Sequence, residues 1–347
     1  MKKLLWALVI LGFLACSGRE KEHVAPWKRT VTQDNAFDLG QIQQSGELIA
    51  LTLSGPDTYY EVRGKELGLH FLLCQKFAND MGVRLRMETC RDTTEMLQRL
   101  AQGDADLIAF PLTADSLQLG WRVGNGKTAL AEALADWYQP EMKETMAREE
   151  QQLLIQPRVR RQVYAPMLGH GVISRYDALF HRYSRACGWD WRLMAAQCYQ
   201  ESTFDPNAVS WAGARGLMQI MPTTADHLRL ARADMFDPEL NVAAASRLIV
   251  ELTRAFSDIG DRVERQNFVL ASYNAGQGHI RDAMRLAKRD GRNYRRWAEV
   301  RNYVLRLSQP QYYRDSLVVH GYMRGQETAE YVDMIRQRYQ KYLRSAK

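Results

Sequence analysis

The sequence predicts an α+β protein: a small α/β lobe followed by a mostly α-helical domain. Three observations carry that expectation. Residues 46–112 alternate strand-like and helix-like segments. From about residue 171 onward, apolar residues recur at intervals of three and four, the spacing of buried helix faces. The chain has 347 residues, 46% hydrophobic and 25% charged, which suits about two domains with real cores.

Residues 1–16 read as an export signal. Lys2-Lys3 is a charged start, and Leu4 to Ala15 is an apolar run too short to span a bilayer. It ends in Phe13-Leu14-Ala15-Cys16, which resembles a bacterial lipobox with Phe where Leu is usual. The resemblance implies a lipid on mature Cys16, anchoring the protein to a membrane without spanning it. A simple signal peptide or a short anchor is the alternative. Residues 17–45 are polar and aperiodic, and are expected to be a flexible tether.

The lobe is expected over 46–139. Glu47 to Leu53 is strand-like, and Ser54-Gly-Pro-Asp57 is a turn. Gly68 to Met81 is helical, with Leu69, Leu72, Leu73, Phe77 and Met81 on one stripe. Val83 to Met87 alternates, Thr93 to Gln102 is helical, and Ala105 to Phe110 is a buried strand. That order predicts a small parallel sheet with crossover helices. Thr58-Tyr59-Tyr60 and Gly103-Asp-Ala-Asp-Leu107 resemble the first lobe of family-3 periplasmic solute-binding domains. Such a domain closes two lobes on a ligand. Here Pro111-Leu112 is followed almost at once by Trp121 to Gly124 and Leu130 to Trp137, which resemble closing elements. Most of a second lobe is missing, so a vestigial or repurposed docking lobe is favoured over an amino-acid or peptide sensor. Residues 140–170 are expected to be a charged helical connector, and 171–347 the second domain.

In that domain the stretch Asp190 to Gln219 stands out. Trp191, Met194 and Cys198 step along one stripe of a helix, and the next step lands on Glu201. Asp205-Pro206-Asn207 stops the helix, with Asp205 expected to cap the turn. Gly213 to Gly216 follows, and Leu217-Met218-Gln219 reads as a second helical start continued by Pro222 to Leu230. An inward carboxyl group at a helix end suits a general acid, because partial burial favours its protonated form. A solvent-facing helix-terminal Glu is the plainer alternative.

Glu201-Ser202, Gly216-Leu-Met-Gln219, Ala271-Ser-Tyr273-Asn274-Ala-Gly276, and Glu327-Thr328 with Tyr331-Val332 stand in that order. They resemble the signature blocks of the soluble-lytic-transglycosylase domain, the goose-lysozyme-like enzymes that cut peptidoglycan. Ala329 stands where that family usually has Arg. The resemblance implies a lysozyme-like fold and cleavage between N-acetylmuramic acid and N-acetylglucosamine. It implies Glu201 as a single acid/base, with the muramic acid C6 hydroxyl as nucleophile and a 1,6-anhydro ring as product. It also implies substrate-binding roles for Ser202, Gly216, Met218, Gln219, Tyr273, Asn274 and Tyr331. Ser202 would orient the glutamate or the muramic acid, Gln219 would donate to the sugar, and Tyr331 would tune Glu201. No cofactor is implied.

Further helices are expected after Asp237 to Asn241, over Arg262 to Tyr273 with Gly276 and Gly278 as stops, over Ile280 to Arg289 and Tyr294 to Leu307, and over Thr328 to Leu343. Between Arg281 and Arg306 nine Lys/Arg face three acids. An export signal and the lack of a nucleic-acid motif argue against nucleic acid; peptide-stem carboxylates or plain solvation account for the charge. The formal charge of +7 suits an anionic polymer or surface. Cys74, Cys90, Cys187 and Cys198 are an even number in an oxidising compartment, compatible with one or two disulfides, although Cys198 reads as a core residue. No cluster has metal-ligand spacing. The expectation is therefore a peptidoglycan lytic transglycosylase, lipid-anchored to the outer membrane and facing the periplasm. Its partners are the glycan strands, the membrane and other cell-wall proteins. A hydrolytic muramidase of the same fold and a non-catalytic wall-binding lipoprotein are the alternatives.

Overall fold

The computed structural model describes residues 37–62, 64–112, 119–155 and 171–345. The expected signal segment with Cys16 lies outside them, as does the expected tether through residue 36. The end of that tether needs correction. Leu39–Ser45 form helix α1, opened by a capping box between Asp38 and Gln41, and its Ile42 is buried. Asp38 also accepts N–H bonds from Ala129 and Leu130 at 2.9 and 3.0 Å, which ties this segment to the lobe.

The lobe is built from strand β1 (Glu47–Leu53), a hairpin of β2 (Tyr60–Val62) and β3 (Lys65–Leu67), helix α2 (Leu69–Asp80), β4 (Arg84–Cys90), α3 (Thr93–Gln102), β5 (Leu107–Ile108), β6 (Arg122–Val123), α4 (Thr128–Trp137) and α5 (Pro140–Ile155). The sheet runs β4-β1-β5-β6. Its first three strands are parallel, and β6 is antiparallel to β5. Alternation along β1 explains the apolar run: Leu48 and Ala50 enter the core under α2 and α4, while Leu51 enters the core under α3. The central strand has no solvent face. Asp106 accepts from Ile49 N–H at 2.8 Å and pairs with buried Lys127 at 2.9 Å, so its charge is balanced where it is desolvated.

The second region comprises α6 (Asp177–Cys187), α7 (Trp191–Ser202), α8 (Pro222–His227), α9 (Pro238–Ala255), α10 (Arg262–Ala275), α11 (Gln277–Arg289), α12 (Trp297–Arg306), α13 (Pro310–Tyr313) and α14 (Gly325–Ser345). Helix α7 lies at its centre, packed between α6 and α14. Leu193 through Ala196 and Cys198 are completely buried, so α7 is enclosed on nearly every side and has no single buried stripe. Lobe and helices lie within one compact unit, Phe37–Lys347.

Three further expectations are corrected. Leu217-Met218-Gln219 do not begin a helix; they form a turn, and helix resumes only at Pro222. Gly276 does end α10, but Gly278 lies inside α11, which starts directly after the glycine. Cys74, Cys90, Cys187 and Cys198 are all free and buried. Some cations of the basic stretch are paired locally: Arg281 with Asp258, Arg285 with Asp282, Arg289 with Asp290 and Asp315, and Arg301 with Asp333. No helix among the described residues is long and apolar enough to cross a membrane.

Candidate active site

Helix α7 delivers Glu201 on its last turn. Asp190 caps its start, accepting from Arg192 N–H at 2.8 Å. Its end is abrupt, because Thr203 and Phe204 both take left-handed conformations with φ of 55° and 63°. Non-glycine residues pay a conformational cost there, of order 1–3 kcal/mol each. Packing offsets it: Phe204 is buried against Phe180 and Tyr199. The reversal leaves Glu201 half-buried at the wall of a cleft of about 510 Å³.

Behind the carboxylate stands Tyr331 of α14, 1% exposed. Its hydroxyl donates to Glu201 Oε1 at 2.5 Å, and Gln197 Nε2 donates to the same hydroxyl at 3.2 Å. Burial, reinforced by the charge of Glu201, pushes the Tyr331 phenol well above its ordinary range, so it remains a donor at any ordinary pH. Tyr273 of α10 is raised in the same way and donates to the Met218 carbonyl at 2.8 Å.

The turn over the carboxylate is held from below by Asn241, a fully buried side chain of α9. Its Oδ1 accepts from Met218 N–H at 2.8 Å, and its Nδ2 donates to the carbonyls of Arg215 and Met235 at 3.0 and 2.8 Å. Gly216, at φ 79°, passes so close that a Cβ would collide with the Met235 carbonyl and the Asn241 side chain. These buried bonds are why the turn is not a helix.

The expected site residues therefore separate into two groups. Glu201, Gln219, Tyr273 and Asn274 line the cleft together. Tyr331 sits directly behind Glu201. Gly216, Met218 and Ser202 are not on the cleft wall: Met218 is fully buried, and the Ser202 hydroxyl turns back to the Cys198 carbonyl at 3.3 Å. Gln219 Nε2 donates to the carbonyls of Ala208 and Gly216, both at 3.0 Å. Asn274 Oδ1 accepts from Thr328 Oγ1 at 2.8 Å, which fixes its orientation.

Sequence reasoning missed several lining residues. Met221, Thr223 and Thr224 follow the turn, and His227 Nε2 lies 3.0 Å from Glu251 Oε2 at the rim. More unexpectedly, Glu61 and Gly64 reach the cleft from the lobe's β2–β3 hairpin. Nothing local in their sequence signals this, because they meet α10 across more than two hundred residues of chain. Asn241 had a usable signal, a polar residue on the apolar face of α9. Among the described residues no cluster of metal-ligating side chains is present.

Residues 178–295 match the family model of the transglycosylase SLT domain. That segment is similar to SLT domains. The membrane-bound lytic murein transglycosylase F of Desulfosudis oleivorans is 39% identical over 163 residues, 47% of this chain and 35% of that protein. The Marinobacter nauticus protein of the same name is also 39% identical, over 48% of this chain and 32% of its own length. The chain thus spans about a third of these relatives. The Salmonella arizonae protein of that name is 27% identical over 413 aligned positions, covering 85% of this chain and 79% of itself. Among solved structures, the 70 kDa soluble lytic transglycosylase of Escherichia coli is 27% identical over 49% of this chain and 24% of its own, with a TM-score of 0.35. The matched segment contains α7, the Gly216 turn and α10, and so contributes Glu201, Gln219, Tyr273 and Asn274 to the cleft.

Proposed function

We propose that the protein is a peptidoglycan lytic transglycosylase with Glu201 as its single acid/base. The observation that carries this reading is a half-buried carboxylate on the cleft wall, held at 2.5 Å by a buried tyrosine that stays protonated. In the proposed reaction, protonated Glu201 gives its proton to the glycosidic oxygen, which departs as the C4 hydroxyl of N-acetylglucosamine. The carboxylate formed then takes the C6 hydroxyl proton of N-acetylmuramic acid. That oxygen attacks C1 and closes the 1,6-anhydro ring, so no water is consumed. Tyr331 fixes the carboxylate throughout, and Tyr273 holds the turn carrying Gln219. Asn274, oriented by Thr328, faces the reacting sugar.

One observation favours a hydrolytic muramidase instead: Glu61 brings a second carboxylate into the same cleft, and paired carboxylates are the usual glycosidase device. Digestion of purified peptidoglycan, with products identified by mass spectrometry, decides between them. Anhydro-muropeptides from the wild type and none from Glu201→Gln are expected. Reducing-end muropeptides would establish the muramidase. No release by either protein, with both still binding the wall, would leave a scaffold.

The remaining parts of the reading follow the same pattern. Lipidation at Cys16 and an outer-membrane anchor facing the periplasm rest on the sequence and on the word "membrane-bound" in the relatives' names. Fatty-acid labelling lost in Cys16→Ser would support them. The lobe reads as a reduced solute-binding domain. Against the Salmonella arizonae relative, 85% of 347 residues, about 295, spreads over 413 positions, so about 118 positions of that alignment have no residue here.

A further inference from the structure

The β2–β3 hairpin belongs to the lobe, yet it forms part of the cleft that holds Glu201. Glu61 and Gly64 line that cleft together with Tyr273 and Asn274, and Glu61 also bounds a small adjoining hollow with Asn274, His279 and Arg324. Resting on the transglycosylase reading, we propose that Glu61 is a substrate-contacting residue, accepting hydrogen bonds from hydroxyl or N-acetyl N–H groups of the glycan. The reduced lobe is then one wall of the active site.

Three features support the assignment. The hairpin is fixed on both flanks. Tyr60 donates to Glu150 at 2.7 Å and packs edge-on against Tyr322, whose N–H donates to Ser54 Oγ at 2.8 Å. On the other flank Gly64 lies against Met221, and Lys65 Nζ sits 5.3 Å from the centre of the Trp211 ring. Glu61 is therefore held at the cleft and does not swing with a free loop. Its side chain is also open to the cleft, while enough protein crowds the carboxyl group that burial, with Glu66 beside it, holds it above the usual carboxylate range; Gly64 N–H and His320 oppose the shift. That combination marks a group on a concave wall. Finally, among the described residues no Lys or Arg forms an ion pair with Glu61, and the one donor to its carboxylate on this flank is the Gly64 N–H. Sugar hydroxyls and acetamido N–H groups are the donors such oxygens suit.

The test uses the full-length protein and glycan strands freed of peptide stems. Glu61→Ala is expected to raise KM about tenfold with kcat within about twofold, the loss of one hydrogen bond to a charged group. Glu61→Gln keeps one acceptor oxygen, so its KM is expected to rise about threefold. Unchanged melting temperatures in both variants would show the hairpin still docked. Unchanged KM in both overturns the proposal. So does a fall in kcat at constant KM or a switch from anhydro to reducing ends, either of which would place Glu61 in the chemistry. Increased activity would make the hairpin an obstruction, and an effect confined to stem-bearing strands would make Glu61 a reader of peptide amino groups; both also overturn it. If the wild type turns nothing over, the transglycosylase reading fails by itself. Calorimetric binding of the same strands to Glu201→Gln, with and without Glu61→Ala, then tests Glu61 separately.

Discussion

The lobe and the helical region bury polar groups for opposite ends. In the lobe those groups close on one another. Lys127 neutralises Asp106, Trp121 Nε1 donates to His70 Nδ1 at 2.7 Å, and the Thr52 hydroxyl donates to the Ala109 carbonyl at 3.0 Å. The first two tie the sheet region to its helices, and the third ties β1 to the segment after β5. In the helical region one set of buried groups converges on a side chain and a turn: Tyr331, which accepts from Gln197, donates to Glu201, and Asn241 and Tyr273 hold Met218. The difference teaches that burial of polar groups marks a site only when they point at something left open. Core polar groups satisfied among themselves stabilise a fold, and the lobe has that kind.

The strongest way to break this comparison is Glu201→Gln. If the convergence is catalytic, kcat falls about 1,000-fold while the melting temperature hardly moves. A fall of less than tenfold on purified glycan strands would return Glu201 to the structural class. Gly216→Ala comes next. The added methyl meets the Met235 carbonyl at a positive φ, so a loss of roughly 2–4 kcal/mol in urea unfolding is expected, with activity lost alongside. A stability loss that spared activity would separate the turn from the site.

On the lobe side, His70 provides the sharper test. Burial, then the charge of Lys143, lowers its pKa from 6.5 to about 4. The unfolded chain therefore takes up the proton first as pH falls. Stability from neutral His70 is complete above pH 6.5 and is lost progressively down to about pH 4, by roughly 3 kcal/mol. His70→Gln keeps an acceptor for Trp121 and should flatten that slope between pH 6.5 and 4.5 without altering kcat. A changed kcat at pH 7 would mean the lobe's interior does reach the site. Tyr331→Phe carries the smallest effect, about a tenfold loss in kcat, from removing one charge-assisted hydrogen bond. Full activity in that variant would show that the Tyr331 hydroxyl is dispensable.

How much of this was legible in the sequence depended on range. The strand and helix order of the lobe followed from alternation and from the Leu69, Leu73 and Phe77 stripe, because those patterns are local. Glu201 was legible as a carboxylate interrupting an apolar helix just before a proline stop. The helix expected at Leu217 failed for a reason no local pattern contains: Asn241, well over a helical turn away in sequence, takes the bonds that a helix would need. Gly278 misled because glycine signals a stop only where the chain must turn. At Gly276 the backbone has already turned, with φ 82°, and Gly278 simply makes room for the ring of His320.

By itself the sequence determined the order of most strands and helices and the blocks that resemble SLT domains. Those properties depend on residues near one another along the chain, where periodicity and turn chemistry act directly. Only the tertiary structure decided which of the signature residues face the cleft. It placed Tyr331 behind Glu201, turned Ser202 inward, and brought Glu61 to Asn274 from the far end of the fold. Those outcomes are set by which surfaces pack and which buried donors find acceptors, and such partners are chosen in space, across more than a hundred residues of chain.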